Sequence, residues 1–264
     1  MGNVFSRPGT LIGHRGLGKG IVEGHRGNSL GSFLAAVEAG ADWVEVDVRR
    51  SIDDALFVVH DDAFDDGAFL AQLPADEAAR RGALPLPRLL EELPDRVGVV
   101  FDVKSSVHDA ERPSTLTTAA LLGNLCSRLH VARPAVALSF DPAALQHLRE
   151  TVPKLALGLL TWHRFPVGLA VAAAAHLDVQ VLAVHAGSLN PGKETGTLDL
   201  PALPDLVARV HASERELAVW CPPVRRVRAL ASAGVDAMVV DDVARHVAEL
   251  ARPRAGRREG ATLR

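Results

Sequence analysis

Trp43–Asp61 reads WVEVDVRRSIDDALFVVHD, and the alternation within it decides the fold. Side chains of an extended strand point alternately to its two faces, so Glu45 and Asp47 share one face while Val44, Val46 and Val48 share the other. Two carboxylates held in one small volume repel unless a proton or a cation lies between them. Hard oxygen donors of this kind suit magnesium, calcium or manganese. Asp53-Asp54 reads as a turn and Phe57–Val59 as a returning strand, which brings His60 back beside the pair. Taken alone, the stretch also reads as a solvated edge strand with a surface histidine.

Working outward, Leu11-Ile12-Gly13 is a short strand that runs into His14-Arg15-Gly16 and a glycine-rich loop ending at Gly27. Apolar residues at helical spacing follow over Ser29–Ala39, with Asn28 or Ser29 as the N-cap and Gly40 as the stop. Val97–Lys104 is apolar until Asp102 and Lys104, which again fall on one face. Beyond it helices are expected over 115–130, from Asp141-Pro142 onward, and over 167–176, 203–211 and 224–233. Strands are expected over 135–139, 155–160, 179–184, 217–220 and 237–241. Between Asp61 and Pro85 lies a loop with a weak helix at 75–81, and Pro85–Leu93 reads as a short helix.

About eight apolar strands alternating with helices is the pattern of an α/β protein, a (β/α)8 TIM barrel in one domain. An open doubly wound sheet alternates in the same way. The barrel is favoured by where polar residues fall: His14, Glu45/Asp47, Asp102/Lys104, Ser139, Trp162-His163, His185, Trp220 and Asp241 stand at or just past the carboxyl ends of successive strands. That rim is where barrels build their sites. The expected division is a barrel over 1–251 and a flexible basic Pro/Gly/Arg-rich tail over 252–264.

Composition narrows the function classes. The 264 residues are 48% hydrophobic and 23% charged, enough for a packed core. A net charge of −3 without a dense Lys/Arg block argues against nucleic acid as a partner. The chain shows neither a secretory-signal layout nor an apolar run long enough to span a bilayer, so stable membrane insertion is not expected. The two cysteines, Cys126 and Cys221, lack metal-ligand spacing and read as free thiols, which fits a cytoplasmic location. Oligomeric state is not legible.

If the carboxylates hold a divalent cation, Ca2+ or Mg2+, against a phosphodiester, then Glu45, Asp47 and Asp102 supply its oxygen ligands. Arg15 and Lys104 add positive charge for the phosphate, and His14 and His60 exchange protons on its two sides. Trp220 closes an apolar wall over the substrate. Duller roles compete: His14 as a strand-end hydrogen-bonding group, Arg15 in a structural ion pair, Lys104 as a solvated strand end, and His25, Arg26, His163 and His185 as surface or structural residues.

His14-Arg15, Glu45-x-Asp47 and His60-Asp61 together resemble the HR…ExD…HD signature of the glycerophosphodiester phosphodiesterases. Phe101–Lys104 resembles that family's Glu-x-Lys strand, Ser139-Phe140 its Ser-Phe, Ala218–Trp220 its Trp-bearing strand, and Gly234–Asp241 its closing segment. The resemblance implies a TIM barrel, metal ligands Glu45, Asp47 and Asp102, acid/base residues His14 and His60, and Arg15 and Lys104 on the phosphate. The implied reaction is hydrolysis of a glycerophosphodiester to glycerol 3-phosphate and an alcohol. Two departures stand out. Asp102 replaces the family's Glu, and Gly27-Asn28-Ser29 stands where the family reads Glu-Asn-Thr, with Glu23 as a conceivable substitute. The insertion after the His-Asp strand is also reduced. An impaired barrel that binds phosphate esters and a lysophospholipid-type phosphodiesterase are the alternatives.

Overall fold

Each strand buries both faces, and the two faces bury different things. In the computed structural model, which describes residues 3–129, 133–189 and 202–252, eight parallel strands close into a barrel. They are β1 Thr10–His14, β2 Trp43–Arg50, β3 Gly98–Val103, β4 Ala135–Ser139, β5 Ala156–Leu160, β6 Val181–His185, β7 Glu216–Trp220 and β8 Ala237–Val240. Each pairs with the next, and β8 pairs with β1 to complete the ring. Val44, Val46, Val48, Val99, Phe101 and Val103 face outward into the layer between sheet and helices. Trp43, Val100, Val136, Leu138, Val181 and Val239 face inward and fill the barrel.

That parity places the site. Trp43 points inward, so Glu45 and Asp47 point inward above it, and Asp102 does the same above Val100. Register then sets the neighbours: His14 lies opposite Glu45 across the β1–β2 ladder, and Asp47 opposite Asp102 across β2–β3. Below the acids the barrel is plugged by Phe5, whose ring meets the Trp43 indole edge-on with centroids 5.2 Å apart. Both Glu216 carboxylate oxygens accept backbone N–H groups of this segment, from Val4 at 2.9 Å and Phe5 at 3.0 Å. Gly98 makes room for the indole, since a Cβ there would lie 2.1 Å from it.

The returning strand is Leu56–Val58, one residue earlier than expected, and it runs antiparallel to β2 with Leu84–Pro85 added on its outer side. Val59, just past the strand, continues its ladder by donating its N–H to the Asp47 carbonyl at 2.9 Å, and this bond brings His60 beside the carboxylates. The 61–85 segment is more than a loop. Besides the expected helix, which runs over Ala75–Arg80, it carries a 3-10 turn at Leu70–Gln72 and a small core of Phe57, Leu70, Ala78 and Ala83.

Elsewhere the elements shift by a few residues. The helix expected over 115–130 begins at Thr118 after a 3-10 turn at Ser114–Leu116, and His130 lies outside the described residues. The stretch 224–233 splits into a 3-10 turn, Val224–Arg226, and a helix, Val227–Ser232. A further helix, Val243–Ala251, follows β8; Asp242 caps it by accepting the Arg245 N–H at 3.2 Å. The tail expected over 252–264 lies, beyond Arg252, outside the described residues.

Candidate active site

The first turn of the site is set by Ser32, a buried hydroxyl on the helix Leu30–Glu38, which Ser29 caps. Its Oγ accepts the Leu17 N–H at 2.9 Å and donates to the Arg15 carbonyl at 3.1 Å. Arg15 is thereby held in the left-handed region, at φ 53°, and its backbone N–H is turned onto Glu45 Oε2 at 3.0 Å. Strained non-glycine backbone of this kind concentrates at functional sites.

Glu45, Asp47 and Asp102 bring ligand oxygens within 4.8 Å of one another. All three are buried, and among the described residues Glu45 Oε1 and Asp102 Oδ1 have no hydrogen-bond partner. Unpartnered buried carboxylate oxygens are costly unless a cation meets them. The donor set is all hard oxygen, so the residues fit a divalent ion of the calcium or magnesium kind. Around them stand two cations. Lys104 Nζ reaches Asp47 Oδ1 at 2.9 Å and also contacts Asp102, and Arg15 Nε lies 3.2 Å from Asp47 Oδ2. Asn28, itself left-handed at φ 63°, donates its amide to Asp47 Oδ2 at 2.7 Å.

The charges sort unevenly. Burial, then repulsion from Asp47, pushes Glu45 up to about 8. Burial also works against Asp47, but Lys104, Arg15, His60 and the Asn28 amide overcome it and hold the carboxyl at about 2. Asp102 is raised by burial and by Asp47, against the pull of Lys104. Burial alone would depress His14; its hydrogen bond to Asp241, the nearby Cys221 thiol and the Glu45 charge outweigh that and hold it up at about 10. His60 goes the other way, lowered mainly by burial. The two imidazoles flank the acids, His14 Nε2 lying 3.9 Å from Glu45 Oε2 and His60 interacting electrostatically with Asp47.

The structure therefore brings together His14, Arg15, Glu45, Asp47, His60, Asp102 and Lys104. Arg15 and Lys104 end on the carboxylates themselves rather than standing free for a phosphate. Glu23 does not join them: it is exposed, in the turn between the short strands Ile21–Val22 and His25–Arg26. Gly27 lines the cleft, but a Cβ there would lie 2.8 Å from the Gly18 carbonyl oxygen. Trp220 sits across the mouth against Phe140 and His185, its buried indole N–H without a partner among the described residues. His163 stacks edge-on against His185 in the same group.

Sequence reasoning gave no role to Asp241, whose Oδ1 lies 2.9 Å from His14 Nδ1. The signal was available: in a closed barrel the last strand lies beside the first, so the carboxyl ends of both meet. In the sequence Asn28 reads only as a cap, because its bond to Asp47 depends on loop geometry.

A cleft of about 530 Å³ opens beside the acids, between the glycine-rich loop and the 59–83 segment. Arg15, Asn28 and His60 line its inner end, and charges of both signs line the rest, Lys19, Arg26 and Arg81 with Asp61, Asp65 and Asp66, Arg81 being paired with Asp66. The three carboxylates are not among its lining residues; they are reached through Arg15 and Asn28.

Residues 14–245 match the model of the glycerophosphoryl diester phosphodiesterase family. No curated protein matches the sequence. Among solved structures the chain is similar to a glycerophosphodiester phosphodiesterase from Parabacteroides distasonis ATCC 8503, with TM-score 0.71 and 22% identity over 92% of this chain and 98% of that one. A phosphodiesterase of Oleispira antarctica, solved in complex with the product sn-glycerol-3-phosphate, superposes with TM-score 0.72 and 19% identity over 91% and 96% of the two chains. A glycerophosphodiester phosphodiesterase from Agrobacterium tumefaciens str. C58 gives 0.69 and 20% over 91% and 98%. At these identities the likeness speaks for the fold.

Proposed function

Because the chain belongs to the glycerophosphoryl diester phosphodiesterase family, we propose that it hydrolyses glycerophosphodiesters with one divalent cation held by Glu45, Asp47 and Asp102 and with His14 and His60 moving the protons. The observation that carries the metal reading is the pair of buried, unpartnered oxygens, Glu45 Oε1 and Asp102 Oδ1, inside one group of three acids. A cation bound there supplies charge neutralisation at the phosphoryl oxygens. The complex of the Oleispira relative with sn-glycerol-3-phosphate supports glycerol 3-phosphate as the product here.

The chain's own residues divide the work. His60, kept below its ordinary pKa by burial, accepts the proton of the attacking oxygen. His14, held protonated by Asp241, donates to the leaving alcohol. Opposite shifts on two titratable groups are the pattern expected of an acid and base working together. Arg15 and Lys104 lend positive charge to the phosphate from their places on Asp47, and Trp220 bounds the mouth on the far side.

A second reading, a lysophospholipid-type diester, is favoured by one feature: Trp162 is 65% exposed at the rim, stacked on Phe140 at 4.1 Å. A single assay panel separates the readings. Purified protein is expected to release glycerol 3-phosphate from at least one glycerophosphodiester, to stop in EDTA, and to recover with Ca2+ or Mg2+. Cleavage confined to acylated diesters selects the lipid reading. Binding of glycerol 3-phosphate without turnover of any diester would identify an impaired barrel and overturn the proposal.

A further inference from the structure

On the far side of His14 a second set of metal donors converges, different in kind from the acids. His14 closes β1, Cys221 follows β7 and Asp241 follows β8, so three consecutive strands of the ring deliver an imidazole nitrogen, a thiol and a carboxylate. Their ligand atoms all lie within 4.8 Å of one another. We propose that His14, Cys221 and Asp241 form a binding site for a zinc-type transition-metal ion, distinct from the all-oxygen site, whose occupancy silences His14.

Tetrahedral zinc with bonds of about 2.1 Å to nitrogen and about 2.3 Å to sulfur sets N and S roughly 3.6 Å apart. Cys221 Sγ already stands 3.8 Å from His14 Nδ1. Asp241 Oδ1, at 2.9 Å from the same nitrogen, needs to withdraw by only a few tenths of an ångström. The thiol is aimed by backbone geometry: Cys221 is held left-handed at φ 53°, with its N–H bound to the Val239 carbonyl at 2.9 Å. The Asp241 side chain is 43% exposed, so the cluster is reached from solvent on that side. Thiolate and imidazole strongly favour zinc over calcium or magnesium, whereas the all-oxygen set of Glu45, Asp47 and Asp102 offers zinc no soft donor and suits the hard ions. Softness thus sorts two kinds of cation to two sides of one histidine.

Binding sends the thiol proton and the Nδ1 proton to solvent and replaces the His14–Asp241 hydrogen bond with two metal–ligand bonds. His14 keeps its Nε2 toward Glu45, but with Nδ1 bound to the metal the ring can no longer carry two protons, so it cannot pass one on and return to its starting form. This last consequence rests on the function proposed above; the binding site does not.

The test uses the full chain with Mg2+ in excess, titrated with Co2+ as a spectroscopic stand-in and then with Zn2+. One Co2+ per chain with a thiolate charge-transfer band, displaced by Zn2+, is the expected result. Cys221→Ser should abolish the band and weaken zinc binding by about tenfold or more, and zinc should inhibit it less, measured against its own zinc-free rate. Asp241→Asn, with the thiol intact, should also weaken zinc binding. Absence of the band in the wild type, its persistence in Cys221→Ser, or zinc binding that survives both variants and fails only in Asp102→Asn would overturn the proposal. A thiolate-dependent zinc site on a protein that cleaves no diester would uphold this site and sink the proposed function instead.

Discussion

His14 and His60 differ in what surrounds them rather than in what they are. Asp241 and Glu45 sit against His14 and raise it, while partial burial near Arg15 and Lys104 lowers His60. An acceptor must be neutral and a donor protonated, so kcat/KM should rise with pH through a value below the usual histidine range and fall again at alkaline pH. His60→Ala is expected to remove the acidic limb and lower the rate by about 10²-fold or more, and His14→Ala to remove the alkaline limb at similar cost. A pH–rate profile unchanged in either variant would refute its assignment. These residues were legible in the sequence because they stand in short motifs at strand ends. Their opposite protonation was not, since it depends on Asp241, which lies 227 positions from His14 along the chain.

At the scale of elements, the loops that return to the barrel mouth are tied by a few buried polar contacts. Arg50, on β2, is 3% exposed and donates to Asp109 at 2.6 Å and to the His108 carbonyl at 2.8 Å, while Asp109 also accepts from the Thr118 hydroxyl at 3.1 Å. Arg50→Ala strands the partly buried Asp109 carboxylate and should cost about 3–5 kcal/mol, read as a lower midpoint in urea with little change in slope. The glycine-rich loop is equally constrained. Gly27 bonds the Gly20 carbonyl at 2.7 Å, and a Cβ at 27 would press on the Gly18 carbonyl oxygen. Gly27→Glu is therefore expected to destabilise by about 1–3 kcal/mol. A gain in metal affinity with no loss of Tm would show that the loop yields and that the carboxylate reaches the site. The sequence comparison suggested only that an acid was missing there; the close approach of two loop segments explains why it cannot simply be restored. Other elements were legible in part. The helix Val243–Ala251 carries local signals, a cap at Asp242 and an apolar stripe, whereas the plug formed by Phe5 has no local signature, because its partner Glu216 is far along the chain.

For the whole molecule, three buried acids share Lys104 and Arg15, and the metal-free protein bears the imbalance. Glu45, with its pKa raised from 4.5 to about 8, binds a proton in the folded state that the unfolded chain has released. Its contribution to stability is therefore present at pH 4.5 and is lost as the pH rises toward 8. A bound cation requires the ionised carboxylate, so metal affinity should move the other way, strengthening with pH by up to about tenfold per unit until Glu45 is ionised. The rise in Tm caused by Ca2+ or Mg2+ should then be larger near about pH 8.5 than near about pH 6, with about 2.7 kcal/mol available at a hundredfold excess over Kd. Glu45→Gln should flatten the metal-free pH dependence and shrink the metal-induced shift. Equal shifts at both pH values would remove Glu45 from the ligand set.

What the sequence determined by itself was periodic or adjacent: the two-residue repeat that puts Glu45 with Asp47 and Asp102 with Lys104, the alternation of strand and helix, and the caps at Ser29 and Asp141. These follow from backbone geometry, which acts over a few residues. Only the closed ring decided the rest. It set β1 beside β8 so that Asp241 could hold His14, and it laid Lys104 and Arg15 onto Asp47. It also gathered a thiol, an imidazole and a carboxylate from three strand ends. Coulombic and desolvation effects depend on distance in space, and the chain's own order does not record that distance until the barrel shuts.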